Sequence, residues 1–259
     1  MPELIEVERY RQTASATIGH RIESVSVVDQ LMVVGLTAAM VIDGVTGRQV
    51  TAARRRGKLL MLDLDDDHVL GLHFGMTGRL IVADDDPIGI LEYGPNTSDV
   101  KWDRFVAVIS DVGLLRLNDP RRLGHISIDP DADALGPEAS TITARQLGVA
   151  LAGSRTALKA RLLDQRRVAG LGNLLIDETL WRARLAPGRQ PVSLAADEVR
   201  DLARAIRATV ALLTRRGGSH TGDLQIHRTP GSTCPRCGHP LRREQWGGRT
   251  TYWCPTEQR

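Results

Sequence analysis

The sequence has no apolar run approaching the roughly 20 residues that a transmembrane helix needs, so a membrane span is excluded. Cysteine is scarce, with three residues that all lie between Cys234 and Cys254. Three cysteines cannot all pair, which excludes a disulfide scaffold and favours a metal site in a reducing compartment. The acidic N-terminus lacks the basic and then apolar segments of a signal peptide. We therefore expect a cytoplasmic protein with no membrane partner.

The composition that is present is typical of a globular protein. Hydrophobic residues make up 42% of the 259 residues and charged residues 25%, which argues against a disordered chain. The formal net charge is only +3, but the arginines are clustered, for example at Arg54–Arg56, Arg121–Arg122 and Arg215–Arg216. Clustered positive charge predicts a polyanion-binding face, with an ordinary solvated surface as the alternative.

Periodicity divides the chain into three parts. Residues 1–18 predict a short helix, and residues 21–128 contain β-branched runs separated by turns, which favour an antiparallel sandwich or barrel. A connector rich in Gly, Pro and Asp follows at 129–137. Beyond it the spacing predicts four helices, at about 144–153, 156–166, 173–185 and 194–215, with Thr143 and Gln146 forming a capping box. We place the domains at 1–130, 131–228 and 229–259.

The C-terminal module has the spacing of a zinc ribbon. Cys234 and Cys237 form one knuckle, Cys254 and Glu257 a second, and Gly247–Gly248 supplies a two-residue hairpin turn between them. A carboxylate can complete a tetrahedral zinc site, so Glu257 is the predicted fourth ligand and His239 another candidate. The alternative is a ribbon that folds on its hairpin without metal.

Three further segments are ambiguous on their own. Gly170–Asn173 joins two helices, and it predicts either a phosphate site at a helix N-terminus or an ordinary turn with Asn173 as the N-cap. Lys58 begins an apolar strand, either as a phosphate contact or amine aimed into a cleft or as a solvated residue. Met76 lies between glycines at an expected hairpin tip, where it would wedge between bases or else pack in the core.

The start of the chain, Met1–Pro2, suggests a nucleophilic N-terminal amine. The initiator Met is generally removed before a small residue, and this would expose the secondary amine of Pro2. An α-amino group titrates at about 7.7–8.0, so part of it is an unprotonated nucleophile at neutral pH. Glu3 and Glu6 would lie beside it as proton donors or acceptors.

Together these segments resemble the formamidopyrimidine-DNA glycosylase / endonuclease VIII family of bifunctional base-excision repair enzymes. The resemblance spans essentially the whole chain, with seven motifs in family order. They are Pro2–Glu8, Arg54–Lys58, His73–Gly78, Asn118–Gly124, Leu135–Glu138, Leu163–Glu178 and Gly247–Thr250.

The resemblance implies an α+β fold with an N-terminal two-layered β-sandwich, a helix-two-turn-helix domain and a C-terminal zinc-ribbon-like hairpin, with double-stranded damaged DNA bound by a monomer near the nucleoid. It implies that Pro2 forms a Schiff base, that Glu3 is the acid/base, and that Lys58 and Arg249 assist β- and δ-elimination. The resemblance also implies that any zinc is structural and that catalysis needs no cofactor. The implied DNA-binding residues are Glu6, Met76, Arg121, Leu123, Lys159 and Asn173.

The chain also departs from the family pattern. Leu123 replaces the usual Phe, Ile5 replaces a Pro, Glu257 replaces a Cys, and only residues 219–233 separate the last long helix from the ribbon. The short segment favours activity on formamidopyrimidines, oxidised pyrimidines or abasic sites over 8-oxoguanine. A catalytically inactive DNA-binding paralogue is the alternative, and a zinc-ribbon protein that binds RNA or protein explains only the C-terminus and the charge.

Overall fold

The computed structural model describes residues 2–259, so Met1 and its predicted removal lie outside the described residues. The chain divides into two compact units, Met1–Ala132 and Asp133–Arg259. Of the helices in the described part, none combines the length and apolar character needed to cross a bilayer.

The first unit is built from two four-stranded antiparallel sheets and two helices. One sheet has the strand order β1-β6-β7-β5 and the other the order β2-β3-β4-β8. The elements are α1 (Leu4–Ala14), β1 (Ile22–Val27), α2 (Ala38–Val45), β2 (Val50–Arg56), β3 (Leu59–Leu64), β4 (Val69–His73), β5 (Arg79–Val82), β6 (Asp103–Ile109), β7 (Gly113–Asn118) and β8 (His125–Ile128).

A single hydrophobic core joins the two sheets. It contains Leu60 and Leu72 from one sheet and Phe105 and Leu117 from the other, all fully buried. Alternation explains this in β6, where every second residue is buried. The core is therefore that of a two-layered sandwich, as predicted.

One helix of this unit was not predicted. Helix α2 interrupts the β region, and Thr37 caps it by accepting a hydrogen bond from the Met40 N–H at 3.2 Å. Strands β5 and β8 have four residues each, too short to give a clear alternating pattern. The Thr37 cap is a signal that could have located α2.

The second unit consists of helices and a hairpin. The elements are α3 (Ala144–Leu151), α4 (Leu158–Leu163), α5 (Asn173–Arg182), α6 (Ala196–Arg216), β9 (Arg242–Trp246) and β10 (Arg249–Trp253). Thr143 and Gln146 form the predicted capping box at the start of α3. Helix α5 is buried along almost its whole length and packs against α4, α6 and β10. It is the central element of the unit.

Strands β9 and β10 form the predicted hairpin. Arg249 pairs with Trp246, so Gly247 and Gly248 make a two-residue turn. Both glycines have positive φ angles, 60° and 70°, which L-residues adopt at a cost. The turn also packs on α4, because a Cβ at Gly247 would come within 3.1 Å of the Ala160 Cα.

Two histidines stack across neighbouring strands of the first unit. His73 of β4 pairs with His125 of β8, and their ring centroids lie 4.6 Å apart at an interplanar angle of 12°. Burial, the neighbouring His125 and the Lys58 ammonium lower the pKa of His73 to about 3. The His73 ring is therefore neutral at physiological pH, and its Nδ1 accepts the Gly75 N–H at 3.1 Å.

We predict that His73 opposes folding in acid. Its native pKa is depressed, so the unfolded chain takes up a proton near pH 6.5 that the native state does not. The free energy of unfolding then falls from about pH 6.5 toward about pH 3, by up to about 1.4 kcal/mol per pH unit. In an NMR titration, the His73 ring protons should show no inflection above about pH 4.

His68 is the internal control for this titration, because its hydrogen bond to Asp129 raises its pKa. The His68 ring should therefore titrate above the ordinary value of about 6.5 in the same spectra. An inflection of His73 near the ordinary value would contradict the buried neutral stack.

Candidate active site

The first turn of α1 is buried and closed by its own side chains. Pro2 is buried and Glu3 is fully buried at the N-cap position. The Glu3 N–H donates to Glu6 Oε2 at 2.8 Å, and the Glu3 carbonyl accepts the Val7 N–H at 3.0 Å. This places the residues predicted to react at a fixed, sheltered point of the first unit.

Glu6 was expected to contact DNA, and the structure shows a role for it within the helix. Its side chain is 3% exposed and closes the first turn by accepting the Glu3 N–H. A buried carboxylate that satisfies a helix-start donor stabilises the helix. Glu6 therefore holds Glu3 in place, and its contact with DNA stays a prediction.

Lys58 lies in a hairpin turn, although the sequence predicted it at the start of a strand. Arg56 of β2 pairs with Leu59 of β3, and Gly57 and Lys58 form the two-residue turn between them. Arg55 steadies this turn by donating to the Gly57 carbonyl at 2.8 Å.

The same arginine connects the turn to α1. Arg55 Nε lies 3.2 Å from Glu8 Oε2 in a partly buried ion pair. Helix α1 also packs against β2 and β3. The elements that carry Pro2, Glu3 and Lys58 are thus joined within one unit.

The segment Phe74–Gly78, which carries Met76, passes from one sheet to the other. The prediction of a hairpin tip was wrong, because β4 pairs with β3 and β8 whereas β5 pairs with β7. Tyr10 anchors the crossing from α1: its hydroxyl donates to the Gly78 carbonyl at 3.1 Å, and its ring lies 4.5 Å from that of Phe74. Met76 is half-buried within the turn.

Asp119 fixes the segment that carries Arg121 and Leu123. The carboxylate is fully buried, and its Oδ2 accepts the Leu123 N–H at 2.7 Å and the Gly124 N–H at 2.8 Å. Its Oδ1 accepts the Arg121 N–H at 3.1 Å and the Thr77 hydroxyl at 2.5 Å. One carboxylate therefore ties this segment to the crossing that holds Met76.

Two side chains of the segment that Asp119 fixes are exposed to solvent. Arg121 is exposed, and Leu123 is 43% exposed, which is unusual for a large apolar residue in an ordered turn. Gly75 contacts the Leu123 backbone so closely that a Cβ there would meet the Leu123 carbonyl oxygen at 2.3 Å. The structure thus brings Met76, Arg121 and Leu123 to one end of the sandwich.

In the second unit, Gln165 organises the turn before α5. Its Nε2 donates to the Leu163 and Leu171 carbonyls at 2.8 and 3.0 Å, and its Oε1 accepts the Gly170 N–H at 3.0 Å. The N-cap of α5 is Gly172, so Asn173 is the first helical residue and not the cap. Asn173 is 2% exposed, and its amide donates to the Thr250 carbonyl at 3.2 Å.

A buried charge network surrounds that carbonyl. Lys159 and Asp177 are both fully buried, with Nζ and Oδ1 2.5 Å apart, and Arg228 Nη2 lies 3.2 Å from Asp177 Oδ2. Arg228 Nη2 and Lys159 Nζ also approach the Thr250 carbonyl at 3.1 and 3.5 Å. Burial raises the pKa of Asp177 above its ordinary value, and the two cations oppose that rise.

This network fixes Lys159 and the backbone beside Arg249. Lys159 was expected among the DNA contacts; its ammonium is buried against Asp177, and a contact of Lys159 with DNA stays a prediction. Arg249 is exposed and directly precedes Thr250, whose carbonyl accepts from three side chains. The network therefore fixes the backbone that presents Arg249.

Three sulfur atoms form a compact cluster in the C-terminal module. The Sγ atoms of Cys234, Cys237 and Cys254 all lie within 4.8 Å of one another. Tetrahedral zinc with Zn–S bonds of about 2.3 Å separates its sulfurs by about 3.8 Å, so the cluster is of the right size. The Trp181 Nε1–H donates to Cys234 Sγ at 3.4 Å. Backbone N–H groups donate to Cys234 in the first knuckle and to Cys254 in the second. Hydrogen bonds of this kind orient and stabilise metal-binding thiolates.

The predicted fourth ligands lie elsewhere. Among residues 2–259 the group that could hold a metal consists of the three cysteines alone. Glu257 Oε2 lies 3.2 Å from Arg236 Nη1 and 3.6 Å from Arg184 Nε. His239 has an exposed side chain and uses its backbone carbonyl to accept the Cys234 N–H at 2.7 Å.

Three family models match the chain. The formamidopyrimidine-DNA glycosylase N-terminal domain matches residues 1–126, the formamidopyrimidine-DNA glycosylase H2TH domain residues 134–223, and the zinc finger found in FPG and IleRS residues 231–256. The predicted boundaries at 130 and 228 stay predictions.

Curated relatives and solved structures agree with these matches. The chain is 34% identical to formamidopyrimidine-DNA glycosylase of Rhodopseudomonas palustris strain CGA009 over 100% of both chains, and 34% identical to that of Carboxydothermus hydrogenoformans over 98% of both. Lactococcus lactis Fpg (MutM) bound to DNA containing N7-benzyl-Fapy-dG superposes with a TM-score of 0.83 at 26% identity, covering 99% of each chain. The Lactococcus lactis Fpg complex with DNA containing an abasic site gives the same values.

The chain therefore belongs to the formamidopyrimidine-DNA glycosylase family. The enzyme class predicted from the sequence is confirmed: it is a DNA-binding DNA glycosylase with AP lyase activity, of the kind that acts in DNA repair. The predicted fold class is confirmed as well.

Sequence reasoning missed the residues that position the others. Asp119 lies inside a recognised motif but received no role, and Asp177, Glu178 and Arg228 gave no local signal that they would be buried. A signal for Asp119 was present, because an Asp before a turn often accepts backbone N–H groups.

We predict that Asp119→Asn loosens residues 119–124. An amide has only one acceptor oxygen, so at least one of the buried donors that Asp119 satisfies loses its partner, at a cost of about 1–3 kcal/mol each. Hydrogen exchange measured by mass spectrometry should show faster exchange in the peptide containing Leu123 and Gly124. Asp99→Asn, at an exposed cap of the Lys101 N–H, is the matched control and should leave that peptide unchanged.

We predict that Asp177→Asn destabilises the second unit by about 3–5 kcal/mol, because it leaves the buried Lys159 ammonium without its counter-charge. Thermal unfolding followed by tryptophan fluorescence measures this, since three of the four tryptophans lie in this unit. Asp201→Asn, in the exposed pair with Arg204, is the control and should change stability by less than about 1 kcal/mol.

The double variant Lys159→Met/Asp177→Leu should recover only part of the loss, since it removes one buried cation together with the carboxylate but leaves the buried Arg228 guanidinium without Asp177. A single Asp177→Asn variant as stable as the control would show that the network is not structural.

Proposed function

We propose that this enzyme removes oxidised bases from damaged double-stranded DNA through a Schiff base on Pro2 and then nicks the strand by β,δ-elimination. The observation that carries the proposal is the buried first turn, in which Pro2 and Glu3 are held by Glu6 and joined to the Lys58 turn through Glu8 and Arg55. A protein that only bound DNA would need no sheltered N-terminal amine.

The chemistry needs Met1 to be absent, so that Pro2 carries a secondary amine. The amine attacks C1′ of the damaged nucleotide, and the base leaves with the amine proton. The C1′–O4′ bond then opens, with O4′ taking a proton from Glu3, and leaves an iminium between Pro2 and C1′. The iminium acidifies the C2′–H bond, so loss of that proton expels the 3′ phosphate, a second elimination expels the 5′ phosphate, and water hydrolyses the iminium to free Pro2. Glu3 serves as the acid/base for ring opening and proton transfer, and Lys58 assists β-elimination.

C1′ is inaccessible within a duplex, so the nucleotide must be extruded at a cost of a few kcal/mol. Met76, Arg121 and Leu123 are the residues proposed to fill the gap. The hydrogen bonds of Asp119 support this role, because they hold residues 119–124 in place and leave the Leu123 side chain exposed. Leu stacks less than an aromatic ring on the base opposite the lesion, so opposite-base preference should differ from relatives with Phe there.

Arg249 is proposed to bind the phosphates of the lesion and to assist δ-elimination. It is exposed, yet the next residue is fixed through the Thr250 carbonyl by Asn173, Lys159 and Arg228. A guanidinium suits this task because it is always charged and contacts phosphate bidentately. Zinc, if held by the three cysteines, would act structurally by stabilising the module that carries Arg249.

The substrate range proposed is formamidopyrimidines, oxidised pyrimidines and abasic sites in preference to 8-oxoguanine. This substrate range is supported by the segment 219–233, which is short and is held against α5 by hydrogen bonds and an ion pair. Glu178, fully buried, accepts the Asp223 and Leu224 N–H groups at 3.1 and 2.8 Å, and Arg182 lies 2.5 Å from Asp223. A segment anchored in this way has little length left to close over a flipped purine.

The solved relatives bound to DNA containing Fapy-dG or an abasic site support this choice of ligands. We further propose that the enzyme acts as a monomer on the chromosomal DNA of the cytoplasm. An inactive DNA-binding paralogue is the competing outcome, and the following experiment separates the two.

We predict that one Gly inserted between Met1 and Pro2 abolishes strand cleavage, because the amine of Pro2 is then locked in a peptide bond. Cleavage of a duplex with a single abasic site is measured for this chain and for the unaltered chain, with both N-termini verified by mass spectrometry. Binding to a duplex carrying a tetrahydrofuran site should persist in both. Full cleavage by the extended chain would exclude Pro2 as the nucleophile, and binding without cleavage by both chains would establish the inactive paralogue.

A further inference from the structure

The second knuckle of the ribbon keeps the backbone of a metal site. The N–H groups of Thr256 and Glu257 donate to the Cys254 sulfur, as those of Arg236 and Cys237 do to Cys234. Gln258 locks the second knuckle from behind, since its Oε1 accepts the Cys254 N–H at 2.8 Å and its Nε2 donates to the Leu185 carbonyl at 2.9 Å. The two knuckles therefore share the same backbone hydrogen-bonding pattern around their cysteine sulfurs. They differ at Glu257, where the second knuckle has a carboxylate in place of a thiol.

The Glu257 side chain turns away from the sulfurs toward two arginines. Arg236 Nη1 donates to its Oε2 at 3.2 Å, and Arg184 Nε lies 3.6 Å from the same oxygen. The guanidinium of Arg236 is itself fixed, because it lies 4.2 Å from the Trp181 ring centroid and donates to the Trp181 carbonyl at 3.2 Å. Movement of Glu257 to a metal would give up the hydrogen-bonded ion pair with the fixed Arg236 guanidinium and the longer contact with Arg184.

No other described residue takes the fourth position. The ligand atoms that residues 2–259 bring together are the three sulfurs only, and His239 is exposed. Cys234 and Cys254 are buried, whereas Cys237 is partly exposed, so solvent can approach the cluster from that side. A polar cavity lined by Arg184, Thr256, Glu257 and Arg259 lies next to the second knuckle.

We propose that the metal in this enzyme is bound by three thiolates only, with its fourth coordination position open to a small exogenous ligand such as water or an anion. Glu257 then does not bind the metal. It pairs with Arg236, whose guanidinium packs on Trp181, and in this way it joins the second knuckle to α5. The three-sulfur site follows from geometry and does not rest on the proposed glycosylase mechanism.

Cobalt(II) spectroscopy of the full chain tests this directly. Its d–d bands report the number of sulfur ligands, and the Co(II)-loaded protein is compared in the absence and presence of azide. The wild type and Glu257→Gln should give the same spectrum, and azide should shift the bands of both. Glu257→Cys should give a four-sulfur spectrum with stronger sulfur-to-metal charge transfer and no response to azide.

Two controls accompany the series. Glu244→Gln changes another carboxylate of the ribbon, which accepts hydrogen bonds from Trp246 and Trp253, and it should leave the spectrum unchanged. His239→Gln tests the remaining candidate ligand in the same way.

The proposal predicts that neither Glu257→Gln nor His239→Gln moves the bands of the Co(II)-loaded protein. A band shift in either variant before azide is added would identify that residue as the fourth ligand and overturn the proposal. A wild-type spectrum that ignores azide, as Glu257→Cys should, would overturn it as well. So would a wild-type protein that binds no Co(II) while Glu257→Cys binds one equivalent.

Discussion

A reactive group on a chain terminus is useful only if the terminus is held still, and in this enzyme the first turn of α1 meets that constraint. The start of a helix has N–H groups without helical partners, and Glu6 satisfies that of Glu3 from within the same turn. The apolar side of α1 then buries Val7, Tyr10 and Ala14 in the sandwich core. The position of Pro2 follows from capping and core packing, so the fold itself positions the proposed nucleophile.

Buried carboxylates extend this arrangement through the rest of the chain. Asp119 gathers backbone N–H groups beneath the exposed Leu123, Glu178 gathers those of the segment after α6, and Asp177 neutralises the cations that fix the Thr250 carbonyl. Asp119 and Asp177 are buried and charged, whereas Leu123 and Arg249, which are proposed to touch DNA, are exposed. Such groups are costly to bury unless they are hydrogen-bonded or paired, which explains why Asp119 and Glu178 each accept several N–H groups and why Asp177 lies against two cations.

The sequence predicted what depends on local pattern. The alternating strands, the Thr143–Gln146 capping box and the glycine turn of the ribbon all follow from periods and caps a few residues long. It could not predict contacts that depend on a distant partner. Nothing local indicates that Lys159 is buried against Asp177 or that the Glu257 carboxylate lies beside Arg184. The Phe74–Gly78 crossing was missed because strand partners are set by the whole sandwich.

The central claim is that the amine of Pro2 forms the covalent link to DNA, and borohydride trapping measures it most directly. The unaltered chain is incubated with a duplex carrying one abasic site, reduced with borohydride, digested and analysed by mass spectrometry. The account predicts a stable adduct whose DNA fragment maps to Pro2. An adduct that maps to Lys58 or another lysine, or no adduct under conditions where the duplex is bound, would contradict it.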